Sequence, residues 1–437
     1  MREQKGRTVP ASPRLASPPE PHAPPIPDMN PSRPLFSFRL FPLLLLLLPL
    51  GARADWLNFR GPGASGYAPA ISASVGELDE NTLAWKSPLP GRGLGSPVLV
   101  GDKVFITAAS GPDQQQLHVL CFAEKDGSLL WERRFWATGR TMSHNKTNVA
   151  APTPASDGQR IFALYSSNDL VCLDLEGNLL WMRGLTLDYP NASNSLGLAA
   201  SPLVAGDTLV AQIENDSESF AAGFDLSTGV NKWKRDRPKT ANWTSPTTLE
   251  MDGETVVALQ SGEGVVGLLP GTGSTLFELK GGASTIPSAA ASGDELYVPA
   301  NGLTASKVAA DGAPPKTLWN EKKQRPGTAS VLVVDDKVFL VNNAGVLTCV
   351  ERGSGAERWS IRLEGPFSGS PVAAKDGRIY LFSEQGVGQV IDPAGDKGEV
   401  TSRVELGETI LSTPALGEGT LFIRSDGHLW KFAKRQG

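Results

Sequence analysis

Short stretches in which apolar and polar residues alternate follow one another along most of the chain, and pairs of Gly and Asp separate many of them. Two examples are Lys103–Ile106, which follows Gly101-Asp102, and Arg378–Phe382, which follows Asp376-Gly377. Alternation with a period of two is typical of half-buried β-strands, and Gly supplies the positive φ that a tight hairpin turn requires. The pattern therefore predicts an all-β chain of consecutive hairpins.

A second pattern repeats on a longer scale. A Gly is followed four positions later by a large aromatic residue in Gly127–Trp131, Gly177–Trp181, Gly229–Trp233, Gly273–Phe277 and Gly355–Trp359. Each repeat opens with a pair of small residues or of a small residue and Pro, at Ser96-Pro97, Thr153-Pro154, Ser201-Pro202, Ser245-Pro246, Pro287-Ser288, Ala329-Ser330, Ser370-Pro371 and Thr413-Pro414. After the first interval the openings are 41 to 48 residues apart, which suits a four-stranded propeller blade. We predict an eight-bladed β-propeller of four-stranded antiparallel blades.

The eighth repeat is short, and this predicts how the ring closes. It opens at Thr413-Pro414 and reaches Lys434 with too few residues for a fourth strand, whereas Leu83–Lys86 reads like the aromatic strand of the other repeats. We expect this N-terminal strand to complete the last blade, because a closed ring leaves no exposed sheet edge. A ring of seven blades is the alternative, since the seventh repeat has Arg403-Val404 where a Trp is expected.

The first 54 residues are predicted to be a leader and signal peptide rather than part of the fold. Arg33 and Arg39 precede an apolar run, Leu40–Leu50, and Ala52-Arg53-Ala54 follows it, as in a secretory signal cleaved after Ala54. The run of 11 residues is too short to span a membrane. Met1 and Met29 are both candidate start codons, and with Met29 residues 1–28 are not translated. We expect residues 55–437 to form one periplasmic or secreted domain.

Composition narrows the class of partner. Residues 55–437 contain 34 Lys and Arg against 43 Asp and Glu, a net charge of −9, which argues against nucleic acid as the main partner. Cys121, Cys172 and Cys349 are too few for a disulfide framework, and each lies in an apolar strand. We predict buried free thiols that act as small apolar residues.

The repeats in which a Gly is followed four positions later by an aromatic residue resemble the tryptophan-docking repeats of the pyrroloquinoline-quinone-like (PQQ-like) β-propeller proteins. Asp55–Pro62, Ser143–Asn148 and Asp188–Asn191 look like segments of one secreted bacterial branch of that superfamily. The resemblance implies two different roles, because the superfamily includes quinone-dependent dehydrogenases, with the quinone and Ca²⁺ over the central channel, and an outer-membrane assembly lipoprotein that acts as a scaffold. This chain lacks the vicinal disulfide of those enzymes and the lipidated Cys of that scaffold.

Three connections between blades, residues 136–151, residues 186–199 and the segment around Lys239–Trp243, are long or unusual and should cluster at the mouth of the channel. Long loops on a rigid scaffold commonly carry function. The candidate ligand- or partner-binding residues are Arg140, His144, Asn145, Asn148, Tyr189, Asn194 and Trp243. The structural alternative is that the Asn residues cap turns, and one His without a spaced second ligand is a weak metal signal, so no metal site is predicted.

No Ser-His-Asp order, paired carboxylates or phosphate-binding loop stands out in the sequence, and no catalytic residue is predicted. The favoured hypothesis is a binding or scaffold module whose loop face takes a protein or small molecule, with no cofactor expected. A quinone-dependent dehydrogenase using PQQ with calcium is the first alternative, and a hydrolase or lyase acting at the channel mouth is the second.

Overall fold

The computed structural model describes residues 55–72, 74–193, 195–309 and 312–434. The predicted leader, residues 1–54, lies outside the described residues. The described part contains eight sheets, each built on four antiparallel strands. The predicted eight-bladed β-propeller is therefore confirmed, and the seven-bladed alternative is wrong. Within the described ranges, no helix is both long enough and apolar enough to cross a membrane.

The strands are numbered in chain order. Two precede the first blade, β1 (Tyr67–Ala68) and β2 (Leu83–Pro88). Blades 1 to 4 contain β3 (Val98–Val100), β4 (Lys103–Ser110), β5 (Gln116–Ala123), β6 (Leu129–Trp136); β7 (Ala155–Ser156), β8 (Arg160–Leu164), β9 (Asp169–Asp174), β10 (Leu179–Gly184); β11 (Leu203–Ala205), β12 (Thr208–Ile213), β13 (Phe220–Asp225), β14 (Asn231–Asp236); and β15 (Thr247–Met251), β16 (Glu254–Ser261), β17 (Gly264–Leu268), β18 (Thr275–Lys280).

Blades 5 to 8 contain β19 (Ala290–Ser292), β20 (Glu295–Ala300), β21 (Gly302–Lys307), β22 (Lys316–Glu321); β23 (Leu332–Val334), β24 (Lys337–Val341), β25 (Val346–Glu351), β26 (Glu357–Arg362); β27 (Val372–Ala374), β28 (Ile379–Phe382), β29 (Val387–Asp392), β30 (Glu399–Glu405); and β31 (Ala415–Gly417), β32 (Thr420–Arg424), β33 (His428–Ala433). A single-turn helix, α1 (Leu185–Asp188), follows β10, and a 3-10 turn covers Pro62–Ala64.

The last blade is completed from the N-terminal side. Strand β2 lies at the outer edge of the sheet formed by β31 to β33, with Leu83 opposite Phe432 and Pro88 opposite His428. Trp85 of β2 then packs against Gly127 in the neighbouring blade 1. The ring is thus held together by strands from both ends of the described chain.

The recurring aromatic residues pack between adjacent blades. The Trp131 indole donates its Nε1 hydrogen to the Leu175 carbonyl at 3.0 Å, and its ring covers Gly177, where a Cβ would lie 2.7 Å from the ring. Gly177 also has a positive φ of 83°, so both the turn and the ring require Gly. Trp181, Trp233 and Trp319 make the same contact with Gly229, Gly273 and Gly355.

In blades 1 to 6 a small residue is paired with the aromatic residue of the outer strand. Gly223 is paired with Trp233, and a Cβ on Gly223 would lie 2.3 Å from the indole nitrogen. The three cysteines occupy the same position, with Cys121 opposite Trp131, Cys172 opposite Trp181 and Cys349 opposite Trp359. All three are buried and free, as predicted. Burial raises the pKa of each thiol, to about 12 for Cys121 and Cys172 and about 11 for Cys349.

The segment that precedes β2 crosses one end of the central channel. The backbone of Trp56 pairs with Leu99 in blade 1, the Thr247 hydroxyl in blade 4 donates to the Gly63 carbonyl at 2.9 Å, and β1 pairs in parallel with β27 in blade 7. Because these blades lie on different sides of the ring, residues 55–68 fill the channel from wall to wall. We call this segment the plug.

Candidate functional site

The residues that open the eight repeats form a closed ring of hydrogen bonds around the channel. In each, the backbone N–H of one opening residue donates to the side-chain hydroxyl of the next, at 2.9 to 3.2 Å. The members, in order, are Ser96, Thr153, Ser201, Ser245, Ser288, Ser330, Ser370 and Thr413, after which Thr413 donates back to Ser96. We call this the hydroxyl ring. All eight residues are buried.

Each hydroxyl of the ring accepts one hydrogen bond and retains one hydrogen of its own. Among the described residues, none of these eight hydroxyl hydrogens is donated to a protein acceptor. The ring therefore does two things at once. Its accepting side ties neighbouring blades together, and its donating side remains for a polar group that enters the channel.

The plug closes the channel below this ring. Phe59 forms part of the cavity wall, and Arg60 beside it is fully buried. The Arg60 guanidinium donates to the backbone carbonyls of Ser65 at 2.7 Å, Val331, and Ala289 at 3.4 Å. Burial without a carboxylate partner lowers the pKa of Arg60 to about 9. The plug thus makes the channel a blind cavity rather than a pore.

The cavity above the plug has a volume of about 410 Å³. Seven of the eight ring residues line it, and the rim is largely apolar. The rim residues come from the blade-to-blade connections and include Leu94, His144, Lys146, Leu196, Trp243, Ile286 and Leu411. The wall contains no Asp or Glu within the described ranges.

Trp243 is fixed in the rim by two connections. Its indole Nε1 donates to the Gly197 carbonyl at 3.0 Å, and its backbone N–H donates to the Thr285 carbonyl at 2.9 Å. The ring is half-buried, so one part is held by protein while the rest faces the cavity. Unlike the tryptophans between blades, it presents a preorganised aromatic surface to a ligand.

The connection between blades 1 and 2 reaches across the mouth to blade 7. Lys146 Nζ lies 3.0 and 2.9 Å from the two carboxylate oxygens of Glu384, which also accepts a hydrogen bond from Ser368 at 2.8 Å. His144 lies on the same loop, where its Nδ1 accepts the Lys146 N–H at 3.1 Å. The His144 side chain itself is exposed on the rim.

Of the residues predicted for the site, His144 and Trp243 line the cavity. Arg140 and Asn145 are exposed on the first connection but do not contribute to the wall. Asn148 is buried beneath that connection. Its side-chain NH₂ donates to Gln114 Oε1, and its side-chain oxygen accepts the Ala150 N–H, as the turn-capping alternative expects.

Tyr189 also lies off the wall. Its ring packs on Phe220 with the ring centroids 4.6 Å apart, and its hydroxyl accepts a hydrogen bond from Asn231 at 3.2 Å. Asn194 lies outside the described residues. Two of the predicted residues thus line the cavity, whereas the hydroxyl ring and Phe59 were not predicted as site residues. The ring residues were recognised only as the openings of the repeats, and Phe59 only as part of the segment Asp55–Pro62.

Comparison with known proteins agrees with this architecture. The sequence profile of the family described as "Outer membrane protein assembly factor BamB" matches residues 67–207, 115–292, 305–394 and 343–437, which together cover most of the chain. The chain belongs to this family of PQQ-like β-propeller repeat proteins. No curated protein sequence matches the chain.

Several solved structures resemble this PQQ-like propeller. BamB from Moraxella catarrhalis has 16% identity and a TM-score of 0.58, over 82% of this chain and 98% of that one. Quinohemoprotein alcohol dehydrogenase from Comamonas testosteroni has 12% identity and a TM-score of 0.63, over 88% and 81%. A europium-containing methanol dehydrogenase has 13% identity and a TM-score of 0.54, over 87% and 98%. At these identities the similarity shows the fold alone.

Proposed function

We propose that this PQQ-like propeller is a binding protein that takes up part of a partner protein, or a small molecule, at the mouth of its channel without catalysis there. The observation that carries the proposal is the blind cavity of about 410 Å³ between the rim and the plug. Ligand sites commonly have volumes of about 300–1,000 Å³, with apolar walls and a few fixed polar groups. The cavity has both features.

The chemistry of the wall favours a ligand with an apolar body and a hydrogen-bond acceptor. Trp243, Leu196 and Ile286 supply apolar surface at the rim, and the exposed fractions of Leu196 and Ile286 are 45% and 48%. Below them, the hydroxyl ring supplies donors. An extended peptide segment with an apolar side chain has this combination, because its carbonyls accept hydrogen bonds beside the side chain.

A quinone-dependent dehydrogenase is the alternative, and the donor chemistry does not favour it. Ca²⁺ prefers six to eight oxygen ligands that usually include carboxylates. The wall offers hydroxyls but no Asp or Glu, and in the described part of the chain no group of three or more His, Cys, Asp or Glu is placed to hold a metal. The residues therefore do not fit a calcium–quinone pair, and we propose no cofactor for the mouth.

The family description supports a location and a kind of partner. It names an outer membrane protein assembly factor, and the solved BamB structure shares the fold. Together with the secretory leader expected at residues 1–54, this supports a periplasmic or secreted protein, cleaved after Ala54, that works as a scaffold for another protein.

The proposal can be tested with N-acetylphenylalanine amide, which carries one apolar side chain between two amides. We expect saturable binding to the purified full chain, measured by ligand-observed NMR. Trp243→Ala should weaken it about tenfold or more, the size typical of a central aromatic anchor. The matched control is Trp136→Ala, because Trp136 is 64% exposed at the end of β6 and does not line the cavity.

Two outcomes would contradict the proposal. Equal weakening by Trp136→Ala and Trp243→Ala would mean that the probe binds elsewhere. Saturable binding of pyrroloquinoline quinone that requires Ca²⁺ would favour the dehydrogenase instead.

A further inference from the structure

Blade 1 contains a hydrogen-bonded chain of serine, histidine and glutamate that lies outside the mouth. Ser110 Oγ is 2.7 Å from His118 Nε2, and His118 Nδ1 is 2.6 Å from Glu132 Oε1. Ser110 ends β4, His118 lies in β5 and Glu132 in β6, so three adjacent strands each contribute one side chain.

Strand register explains why the three side chains meet. Ser110 is paired with Gln116, two residues from His118, and Glu132 is paired with Leu120, two residues from His118 on the other side. Positions two apart on a strand share a face, and diagonal neighbours on that face are within reach of each other. The sequence gives no sign of this, because the order Ser-His-Glu within 23 residues matches no local motif.

We propose that Ser110, His118 and Glu132 form a second functional site, a serine-hydrolase triad that acts on carboxylic esters. His118 Nε2 takes the proton from Ser110 as its Oγ attacks the ester carbonyl carbon. The imidazolium then protonates the departing alkoxide as the C–O bond breaks, leaving an acyl-serine. Water then attacks the acyl carbon while His118 takes one of its protons. The bond between the acyl carbon and Ser110 Oγ breaks, the imidazolium returns the proton to Oγ, and the carboxylic acid is released.

The surroundings suit these roles. His118 is 2% exposed, which keeps its ring in one orientation, and Ser110 is partly exposed at the end of its strand. Arg134 donates two hydrogen bonds to Glu132 and lowers the pKa of that carboxyl, so it is ionised and can stabilise the imidazolium. Ser110 Oγ has one other acceptor, Gln116 Oε1, at the longer distance of 3.2 Å.

The residue after the serine offers a group for the developing oxyanion. Gly111 has a φ of 89°, and its backbone N–H has no acceptor among the described residues. In other serine hydrolases the N–H that follows the nucleophile stabilises the oxyanion. Gly111 is therefore free to play that part.

Blade 8 provides an internal contrast built from the same residue types. There Ser425 Oγ lies 2.6 Å from Glu408 Oε2, and His428 Nδ1 lies 2.7 Å from Glu408 Oε1. The carboxylate stands between serine and histidine, so His428 cannot take the serine proton. Ser425 is also only 1% exposed. We expect no nucleophile there.

The experiment is to treat the purified full chain with a fluorophosphonate probe and to map the modified residue by mass spectrometry. We expect modification at Ser110 and none at Ser425, and Ser110→Ala should abolish both the labelling and the hydrolysis of p-nitrophenyl acetate. An unlabelled Ser110 in protein with native circular dichroism would overturn the proposal, as would unchanged hydrolysis by Ser110→Ala.

Glu132 is a positioning residue in this scheme, and a second variant tests it. Glu132→Gln keeps the size of the side chain while removing the charge that stabilises the imidazolium. We expect kcat for p-nitrophenyl acetate to fall about 10²–10⁴-fold, with KM unchanged. A purely structural role would alter the melting temperature and leave kcat of the folded fraction intact, and that result would remove Glu132 and the triad from the mechanism.

Discussion

The two ends of the central channel are made by the same eight inner strands but differ in chemistry. At the plugged end, residues 55–68 fill the space, and the two terminal nitrogens of the buried Arg60 guanidinium donate to backbone carbonyls. At the mouth, the hydroxyl ring leaves its hydrogens without protein acceptors in the described part of the chain, and the rim above it is apolar. The chain itself fills one end of the channel, whereas at the other end hydrogen-bond donors and apolar surface remain available to a ligand.

This difference shows where function enters a repeat protein. Eight equivalent strands generate a ring of equivalent positions. Such a ring does not by itself determine at which end of the channel a ligand binds. The asymmetry comes from segments that do not repeat: the plug at one end, and the connections that carry His144 and Trp243 at the other. The comparison can be tested by changing each end separately.

The largest effect is expected at the plugged end, from Arg60→Ala. The change removes the donor for the Ser65, Val331 and Ala289 carbonyls. Each buried acceptor left without a partner costs about 1–3 kcal/mol, so we expect a loss of at least about 3 kcal/mol in the free energy of unfolding, measured with urea. The exposed Arg140→Ala serves as control and should change little. A loss below about 1 kcal/mol would show that Arg60 does not hold the plug.

The hydroxyl ring allows stability and binding to be separated. Ser245→Ala and Ser96→Ala each remove the acceptor of one buried N–H, on Ser201 and Thr413 respectively. Each should cost about 1–2 kcal/mol in urea unfolding. Of these two residues, Ser245 lines the cavity and Ser96 does not. We therefore expect Ser245→Ala to weaken binding of N-acetylphenylalanine amide and Ser96→Ala to leave it unchanged. Equal weakening by both variants would mean that the ring affects binding only through stability.

A smaller effect, with a distinctive pH dependence, is expected from Tyr380→Phe. The Tyr380 hydroxyl donates to the Val75 carbonyl at 2.8 Å and so anchors the segment between the plug and β2. Its loss should cost about 1 kcal/mol at pH 7. Burial raises the pKa of Tyr380 to about 12, whereas an unfolded tyrosine titrates near 10.

The sign of the pH effect follows from proton binding. Between pH 10 and 12 the folded state keeps the Tyr380 proton that the unfolded state loses, so stability falls as pH rises. A pKa difference of about 2 corresponds to about 2.7 kcal/mol, which exceeds the hydrogen bond itself. The advantage of the wild type over Tyr380→Phe should therefore be full well below pH 10, disappear less than about one pH unit above 10, and reverse by about pH 11.5. Urea midpoints of the two proteins between pH 8 and 11.5 measure this. A difference that stays constant would contradict the assignment.

The fold could be predicted because it depends on patterns that a sequence displays directly. The repeat openings recur at a regular spacing, and a Gly followed four positions later by an aromatic residue recurs with them. The eight-bladed propeller follows from these two patterns. The site depends on contacts between residues far apart in sequence. Ser96 and Thr413 are partners across 317 positions, and no local pattern reports that hydrogen bond.

Loop residues show the same limit on a smaller scale. His144 and Asn148 lie four residues apart on one connection, and both are polar. One lines the cavity, while the other is buried against Gln114. Which of them faces the channel depends on how the connection folds back over blade 1, and composition does not encode that.

The smallest change in stability is expected at the mouth, from Lys146→Met, which removes the ion pair with Glu384. Lys146 is 61% exposed, so the pair contributes only about 0–1 kcal/mol to global stability. Its effect should instead be local. The N–H groups of His144 and Thr147, which donate to Leu196 and His144 at 2.9 and 2.8 Å, should exchange with solvent several-fold faster, because opening the loop exposes them without unfolding the blades.

Hydrogen exchange followed by mass spectrometry measures that opening, and the chain offers a matched control. Lys103→Met breaks another lysine–glutamate pair with one exposed partner, here Glu176 at 3.0 Å, at the start of β4. It should leave exchange at residues 143–147 unchanged. Faster exchange only in Lys146→Met would show that the mouth is held by a contact weak enough for a partner to displace, in contrast to the plug. Equal exchange in both variants would mean that the loop is held by its own turn, and that the two ends differ in chemistry but not in mobility.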